Sequence, residues 1–259
     1  MDEKKLPLTA HLQELRKRLI LSFVAVGVGF FICYGLGTPG DLQVVSLYDI
    51  LAKPLLRAMP AGGSLIFTSV AEAFFTYMKV GFIGGIILTS PFILYQIWAF
   101  VAPGLYRHEK RYIVPFLLGG TLFFVLGVLF GYFVAMPVCF RFLLRFSTDF
   151  IKVLPSMKDY LTFIMKFLLT FGLVFEFPVV LVFLARIGLI DAKMLATKRK
   201  YAILLVFIIA ATVVAPSPDL LTQVLTAIPL IGLYELSILL CRIFGKKKTA
   251  TATTQQVKD

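Results

Sequence analysis

Three acidic residues lie beside or within long apolar runs, where a carboxylate suggests a binding site or a buried polar group. Glu14 and Glu109 each lie in a short basic segment beside a long apolar run. A carboxylate can bind a guanidinium through two parallel hydrogen bonds, whereas an ammonium acts as a point charge. The pair therefore indicates a site for a ligand that carries two arginines. The alternative for each acid is local charge pairing, which for Glu14 would be an i,i+4 pair with Arg18.

The third acid, Glu176, lies inside an apolar run at 160–185. A charged side chain at the centre of a membrane helix costs ~2.5–3.5 kcal/mol on insertion scales. Glu176 is therefore expected to be protonated or to face a polar cavity. A functional role is the default for such a residue, and a buried structural hydrogen bond is the alternative.

The sequence contains no recognisable catalytic or cofactor motif. The chain has two histidines and three cysteines. They form no HExxH motif and no cysteine pair with metal-ligand spacing, and phosphate-binding loops and GxSxG elbows are missing from the sequence. We therefore predict a protein that is not an enzyme and binds neither metal nor cofactor.

The composition predicts an integral membrane protein of the all-α class. Hydrophobic residues make up 59% of the chain and charged residues 15%, with a mean hydropathy of +0.91. A span needs about 20 apolar residues. We predict one domain, residues 1–245, followed by a basic and then disordered tail at 246–259. The domain has six transmembrane helices, at about 19–36, 73–100, 112–136, 160–185, 201–215 and 220–240.

The orientation of these spans follows from their basic residues. The segments on the side of both termini contain 18 Lys and Arg, and the opposite segments, of nearly equal length, contain 6. Both termini are therefore expected in the cytoplasm. The last two spans each offer 15 apolar residues, about 22 Å, and are predicted to be short.

Several other residues also suggest roles. The outer segment 37–71 has an amphipathic pattern that Pro54 is expected to interrupt. Gln223 gives the start of span six a polar face that could hold helices together. Glu72 and Lys79, near the outer end of span two, are expected to reach the interface.

The chain resembles the TatC family, the multi-spanning subunit of the twin-arginine protein translocase. The resemblance covers the chain to about residue 245. Four segments in the same order carry it: 11–18 (HLQELRKR), 90–111 (SPFILYQIWAFVAPGLYRHEKR), 171–178 (FGLVFEFP) and 218–229 (PDLLTQVLTAIP). Residues 215–219 (APSPD) depart from the pattern, because many relatives have Thr before a Pro-Pro-Asp turn.

The resemblance implies a role for each site residue. The acids matching Glu14 and Glu109 bind the twin-arginine motif of signal peptides, and the neighbours matching Arg16 and Phe100 support them. The acid matching Glu176 is polar within a concave membrane face. The remaining two matches are Gln223, in a polar patch that contacts partners, and Pro54, a proline of the first outer loop.

The resemblance also implies the partners and the membrane. The partners would be folded cargo proteins with twin-arginine signal peptides, single-span TatA and TatB subunits, membrane lipids and further copies in a receptor complex. Nucleic acid is not expected. The location would be the bacterial inner membrane, as a multi-pass protein.

The function predicted from the sequence is therefore that of a signal-peptide receptor and core subunit of a translocation site for folded proteins. A proton-coupled small-molecule transporter that uses Glu176 is the alternative. A structural scaffold for single-span helices is a third reading. A transporter would concentrate its polar residues near the midplane on broken helices, whereas Glu14 and Glu109 lie at the cytoplasmic rim.

Overall fold

The computed structural model describes residues 8–35, 43–59, 65–67, 69–101, 113–144, 154–214 and 220–245. Helices account for almost all of these residues, and a single β-bridge joins Ile66 to Ser156. The elements in chain order are α1 (Leu8–Tyr34), α2 (Gln43–Ala58), α3 (Val70–Val101), α4 (Ile113–Phe130), a π-helical turn (Gly131–Ala135), α5 (Met136–Leu143), α6 (Met157–Arg186), α7 (Ala192–Thr197), α8 (Arg199–Ile209), a second π-helical turn (Ala210–Val214) and α9 (Leu220–Phe244).

Five helices in the described part of the chain are long and apolar enough to cross a membrane. Their bounds are Thr9–Tyr34, Val70–Val101, Ile113–Phe142, Met157–Arg186 and Thr226–Phe244. The predicted fifth span corresponds to α8 and its π-helical continuation, with 11 and 5 residues. At 1.5 Å per residue this segment is about 24 Å long, which agrees with the short span expected there.

Two helices extend beyond the apolar segments. Helix α1 begins at Leu8, because the charged residues before its apolar run are also helical. Helix α9 has 25 residues and continues past Glu235, which forms an ion pair of 2.8 Å with Arg199 at the start of α8. The apolar run of α9 before Glu235 is therefore short, but the helix is not.

Helices α1 and α3 approach each other so closely that their backbones touch. A Cβ atom on Gly85 would lie 2.6 Å from the backbone nitrogen of Phe30, and one on Gly29 would lie 2.8 Å from the carbonyl oxygen of Gly85. Without a hydrophobic driving force between helices in lipid, small residues permit the close packing that holds helices together. The two glycines therefore fix the register of this antiparallel pair.

Helix α6 forms the centre of the described core. Leu161, Ile164, Leu168 and Phe171 are buried along one of its faces, at the i, i+3, i+4 spacing of a helix. Helix α6 also packs closely against α4. A Cβ atom on Gly127 of α4 would lie 2.6 Å from the Phe171 carbonyl oxygen. This face is buried because α2, α4 and α9 all pack against α6.

Glu72 joins the start of α3 to the start of α6. Its carboxylate accepts hydrogen bonds from the Ser156 hydroxyl at 3.0 Å and from the Lys158 backbone N–H at 3.1 Å. A negative charge at a helix N-terminus is stabilised by the unpaired N–H groups and by the helix dipole. Glu72 lies near the end of α3, but its side chain is only 7% exposed because α6 supplies donors inside the protein.

Helix α2 continues through Pro54, so the prediction that this proline interrupts the amphipathic pattern was wrong. Pro54 has no N–H and leaves the carbonyl oxygen of Ile50 without its helical donor. The Tyr132 hydroxyl donates to that oxygen at 2.6 Å, and the Tyr160 hydroxyl donates to the Leu51 oxygen at 2.8 Å. The Tyr132 hydroxyl thus replaces the donor that the proline lacks.

Replacing Tyr132 by Phe tests this compensation. We expect Tyr132→Phe to lower the free energy of unfolding in detergent by about 1 kcal/mol, because the Ile50 oxygen loses its donor. In a Pro54→Ala background the backbone N–H returns, and the same change should cost much less. Tyr201→Phe, at an exposed tyrosine, is the control. An equal cost of Tyr132→Phe in both backgrounds would show that the bond does not compensate for the proline.

Candidate functional site

Glu14 lies at the rim where α1 meets the end of α3. Both the Nε and an Nη atom of Arg18 donate to its Oε1, at 3.1 and 2.6 Å. Arg18 also donates to Oε1 of Gln96 on α3 at 3.2 Å. Glu14 and Arg18 each retain 24% side-chain exposure. The i,i+4 pair is therefore formed, yet the carboxylate is still accessible from outside.

The glycine contact explains why these three residues meet. Arg18 lies eleven residues before Gly29, and Gln96 lies eleven residues after Gly85. Eleven residues are about three helical turns, so each residue stays on the face that its glycine presents to the other helix. Because the two helices are antiparallel, eleven residues back along α1 and eleven residues forward along α3 lead to the same level. Arg18 therefore lies opposite Gln96.

Phe100 closes the same rim. Its ring stacks on His11, with ring centroids 4.4 Å apart and an angle of 18° between the planes. The contact joins the first turn of α1 to the last turn of α3. Arg16 is exposed on α1 and projects from this rim. Glu14, Arg16 and Phe100 are thus brought to one end of the α1–α3 pair.

Glu109 lies outside the described residues, in the segment 102–112 between α3 and α4. Its proximity to Glu14 therefore stays a prediction. Helix α3 ends at Val101, one residue after Phe100, so the chain enters that segment from the rim itself.

Sequence reasoning missed the two side chains that hold Glu14 in place across helices. Gln96 is 5% exposed and bonds Arg18, which in turn bonds Glu14. The available signal was an amide within an otherwise apolar predicted span, because such a group needs a partner inside the protein. His11 gave no signal, since stacking on Phe100 depends on the helix register.

Glu176 is buried at the contact of α6 with α4. It is 8% exposed, and its Oε1 has no hydrogen-bond partner among the described residues. Gly120 of α4 makes room for the carboxyl group, since a Cβ atom there would lie 3.0 Å from Oε2. A polar atom that is buried without a partner is costly, which makes Glu176 a candidate functional residue.

Gln223 and Pro54 lie away from the rim. The Gln223 side chain donates to the carbonyl oxygen of Phe207 at 2.9 Å, where α8 approaches its π-helical turn. This bond holds α9 against α8. Pro54 is buried within α2. The structure does not bring either residue to Glu14, and residues 215–219, where the sequence departs from its relatives, lie outside the described ranges.

The described helices and their polar positions define a multi-pass helical membrane protein with an accessible acidic rim. A family model described as "TatC: Sec-independent protein translocase protein (TatC)" matches residues 10–229. The Sec-independent protein translocase protein TatC of Desulforapulum autotrophicum is 51% identical over 247 residues, covering 95% of this chain and 88% of that protein. The protein of the same name from Escherichia coli is 37% identical over 241 residues, covering 93% and 90%.

A solved structure agrees with these relatives. The crystal structure of a twin-arginine translocase receptor, TatC, superposes with a TM-score of 0.78 at 41% sequence identity. The match covers 90% of this chain and 98% of that chain. The chain belongs to the TatC family.

Family membership confirms several predictions made from the sequence. The chain is an all-α, multi-pass protein of the inner membrane and a component of a protein translocase, not an enzyme. Family membership also favours the translocase prediction over the small-molecule transporter that would use Glu176. The cytoplasmic location of the termini and the roles of individual residues stay predictions.

Two substitutions at Glu176 test whether its carboxyl group acts by hydrogen bonding or by gaining and losing a proton. Glu176→Gln keeps the shape and the hydrogen-bonding capacity, so we expect it to preserve most protein transport into inverted membrane vesicles. Glu176→Ala should impair transport roughly 3- to 30-fold, the equivalent of a lost interhelical polar contact. Leu173→Ala, at an exposed position of the same helix, is the control. If Gln fails as badly as Ala while assembly is normal, Glu176 acts by ionising.

Proposed function

We propose that this chain is the receptor for twin-arginine signal peptides and the core subunit of a translocation site for folded proteins. The proposal is supported by the name of the solved relative, a twin-arginine translocase receptor. It is supported within the chain by the geometry at Glu14. There a half-buried carboxylate already accepts two nitrogens of one guanidinium, which is the chemistry that an arginine of the peptide would use.

Arg18 gives the site a specific mechanism. Both of its bonds to Glu14 end on Oε1, so an incoming arginine can approach Oε2 or replace Arg18. The replaced Arg18 keeps Gln96 as a hydrogen-bond acceptor, which reduces the cost of the exchange. A surface ion pair of this kind contributes about 0–1 kcal/mol, so it is weak enough to be exchanged.

Glu109 supplies the second carboxylate of the proposal. Each arginine of the peptide binds its own carboxylate, so the motif needs both of its arginines. The His11–Phe100 stack keeps α1 beside the end of α3, and Glu109 follows that end by eight residues in the sequence. Arg16 is exposed on the same rim and supports the two acids.

Peptide binding to rim variants tests the proposal. Glu14→Ala and Glu109→Ala should each weaken binding of a twin-arginine peptide about 5- to 150-fold, the equivalent of ~1–3 kcal/mol for a charged hydrogen bond. Glu235→Ala is the matched control, because Glu235 also pairs with an arginine, Arg199. A peptide with two lysines should bind the wild type more weakly than the twin-arginine peptide. Equal affinity for the two peptides would contradict bidentate recognition.

We further propose that the α8–α9 hairpin contacts a single-span partner subunit. A segment of about 24 Å in a hydrocarbon layer of ~30 Å thins the bilayer beside it. Gln223 lies at the beginning of α9, and its side chain bonds the backbone of α8. Such an amide can also accept a hydrogen bond from a polar group of a neighbouring helix.

Copurification tests the partner site. Gln223→Leu should lower recovery of the single-span subunit about 3- to 30-fold, in the range of an interhelical polar contact. Thr212→Val is the control, since Thr212 belongs to the same hairpin but bonds only its own helix in the described structure. Twin-arginine peptide binding should be unchanged in both variants. Full recovery of the partner with Gln223→Leu would place the contact elsewhere.

A further inference from the structure

Two lysines lie in the helices at a depth that the function described above does not explain. The six predicted spans contain two basic residues, Lys79 and Lys166. Lys79 is nine residues from the start of α3 and Lys166 nine residues from the start of α6. Both therefore lie about 14 Å from the ends of their helices. Neither forms an ion pair with a carboxylate in the part of the chain that the structure describes.

The two lysines line one groove between α1, α3 and α6. Its volume is about 520 Å³, and apart from the lysines and one threonine its lining is apolar, with Gly27, Met78, Phe82 and Leu169 among the lining residues. Gly27 contributes open space, because a Cβ atom there would meet nothing within 4 Å. The groove therefore combines an apolar surface with two cations on separate helices.

The acids nearest to the lysines along the chain are already engaged or exposed. Glu72, two turns before Lys79, accepts bonds from Ser156 and Lys158. Asp159, two turns before Lys166, is exposed at the first turn of α6; it lines a neighbouring pocket with Glu72 and Lys79, but no described ion pair joins either acid to Lys79. Two cations that share a groove repel each other unless an anion lies between them, so the groove favours a negatively charged occupant.

The depth of the lysines matches the boundary of the hydrocarbon layer. With 32 and 30 residues, α3 and α6 are about 48 and 45 Å long, so each end extends roughly 8–9 Å beyond a ~30 Å hydrocarbon layer. The lysine backbones then lie about 5–6 Å inside this layer. Lysine side chains extend from such positions to the interface, where the phosphates of lipids are found.

We propose that this groove binds an anionic phospholipid of the leaflet that surrounds the start of α3. Lys79 and Lys166 hold the phosphate, and an acyl chain lies against Gly27 and Phe82. The two lysines distinguish such a lipid from an apolar partner helix, because an apolar helix would cover both charges without supplying an anion. On the predicted orientation this is the outer leaflet.

Native mass spectrometry of the purified full chain tests the proposal. The protein is titrated with equal amounts of phosphatidylglycerol and phosphatidylcholine with identical acyl chains. Each basic residue near an anionic lipid contributes about fivefold, so the wild type should retain phosphatidylglycerol roughly 25-fold over phosphatidylcholine. The double variant Lys79→Gln, Lys166→Gln should retain the two lipids almost equally. Lys193→Gln with Lys200→Gln, two exposed lysines outside the groove, should behave as the wild type.

Three results would overturn the proposal. The wild type could show no preference, or the control variant could lose as much preference as the groove variant. Alternatively, the spectra could show a dimer that the groove variant alone abolishes, in which case a second copy, not a lipid, occupies the groove.

A second variant tests the groove without changing its charge. Gly27→Leu fills the open space and should reduce retention of both lipids several-fold, whether or not the lysine variant folds. Gly232→Leu is its matched control, because a Cβ atom at Gly232 also meets nothing within 4 Å and lies on α9, away from the groove. Wild-type retention by Gly27→Leu would contradict the proposed acyl-chain position.

Discussion

The backbone contact between Gly29 and Gly85 is the constraint on which the rim depends. Any side chain at Gly85 would overlap the backbone of α1, so the two helices can approach only because both positions lack a Cβ atom. The contact sets the antiparallel register, and three turns away that register places Arg18 opposite Gln96. Glu14 is oriented through Arg18. The acidic rim is therefore positioned by two residues that lie far inside the membrane.

A second constraint is that polar groups in hydrocarbon need partners within the protein. The chain satisfies it by pairing groups across elements. Tyr132 donates to the carbonyl that Pro54 leaves unpaired, and Glu72 accepts from the first turn of α6. Glu176 departs from this pattern, because one of its oxygens has no partner among the described residues. Glu176 is therefore a candidate for a functional role, whereas Tyr132 and Glu72 stabilise the fold.

Much of the fold followed from the sequence, because span length and apolar content are properties of single segments. The positions of Glu14 and Glu176 beside and within spans were visible for the same reason. The Arg18–Gln96 bond and the His11–Phe100 stack were not, since they depend on the register of two helices. The continuation of α2 through Pro54 was missed because the compensating hydroxyl comes from a residue far away in the chain.

Photocrosslinking of a twin-arginine peptide from the rim tests the central claim, that the glycine contact positions the binding site. A photoreactive residue in place of Lys17, which is exposed one turn after Glu14, should crosslink the peptide in the otherwise wild-type protein. We expect Gly85→Leu to abolish the crosslink although every rim residue remains, whereas Gly232→Leu should preserve it. An undiminished crosslink in a folded Gly85→Leu protein would show that the glycine contact does not position the binding site.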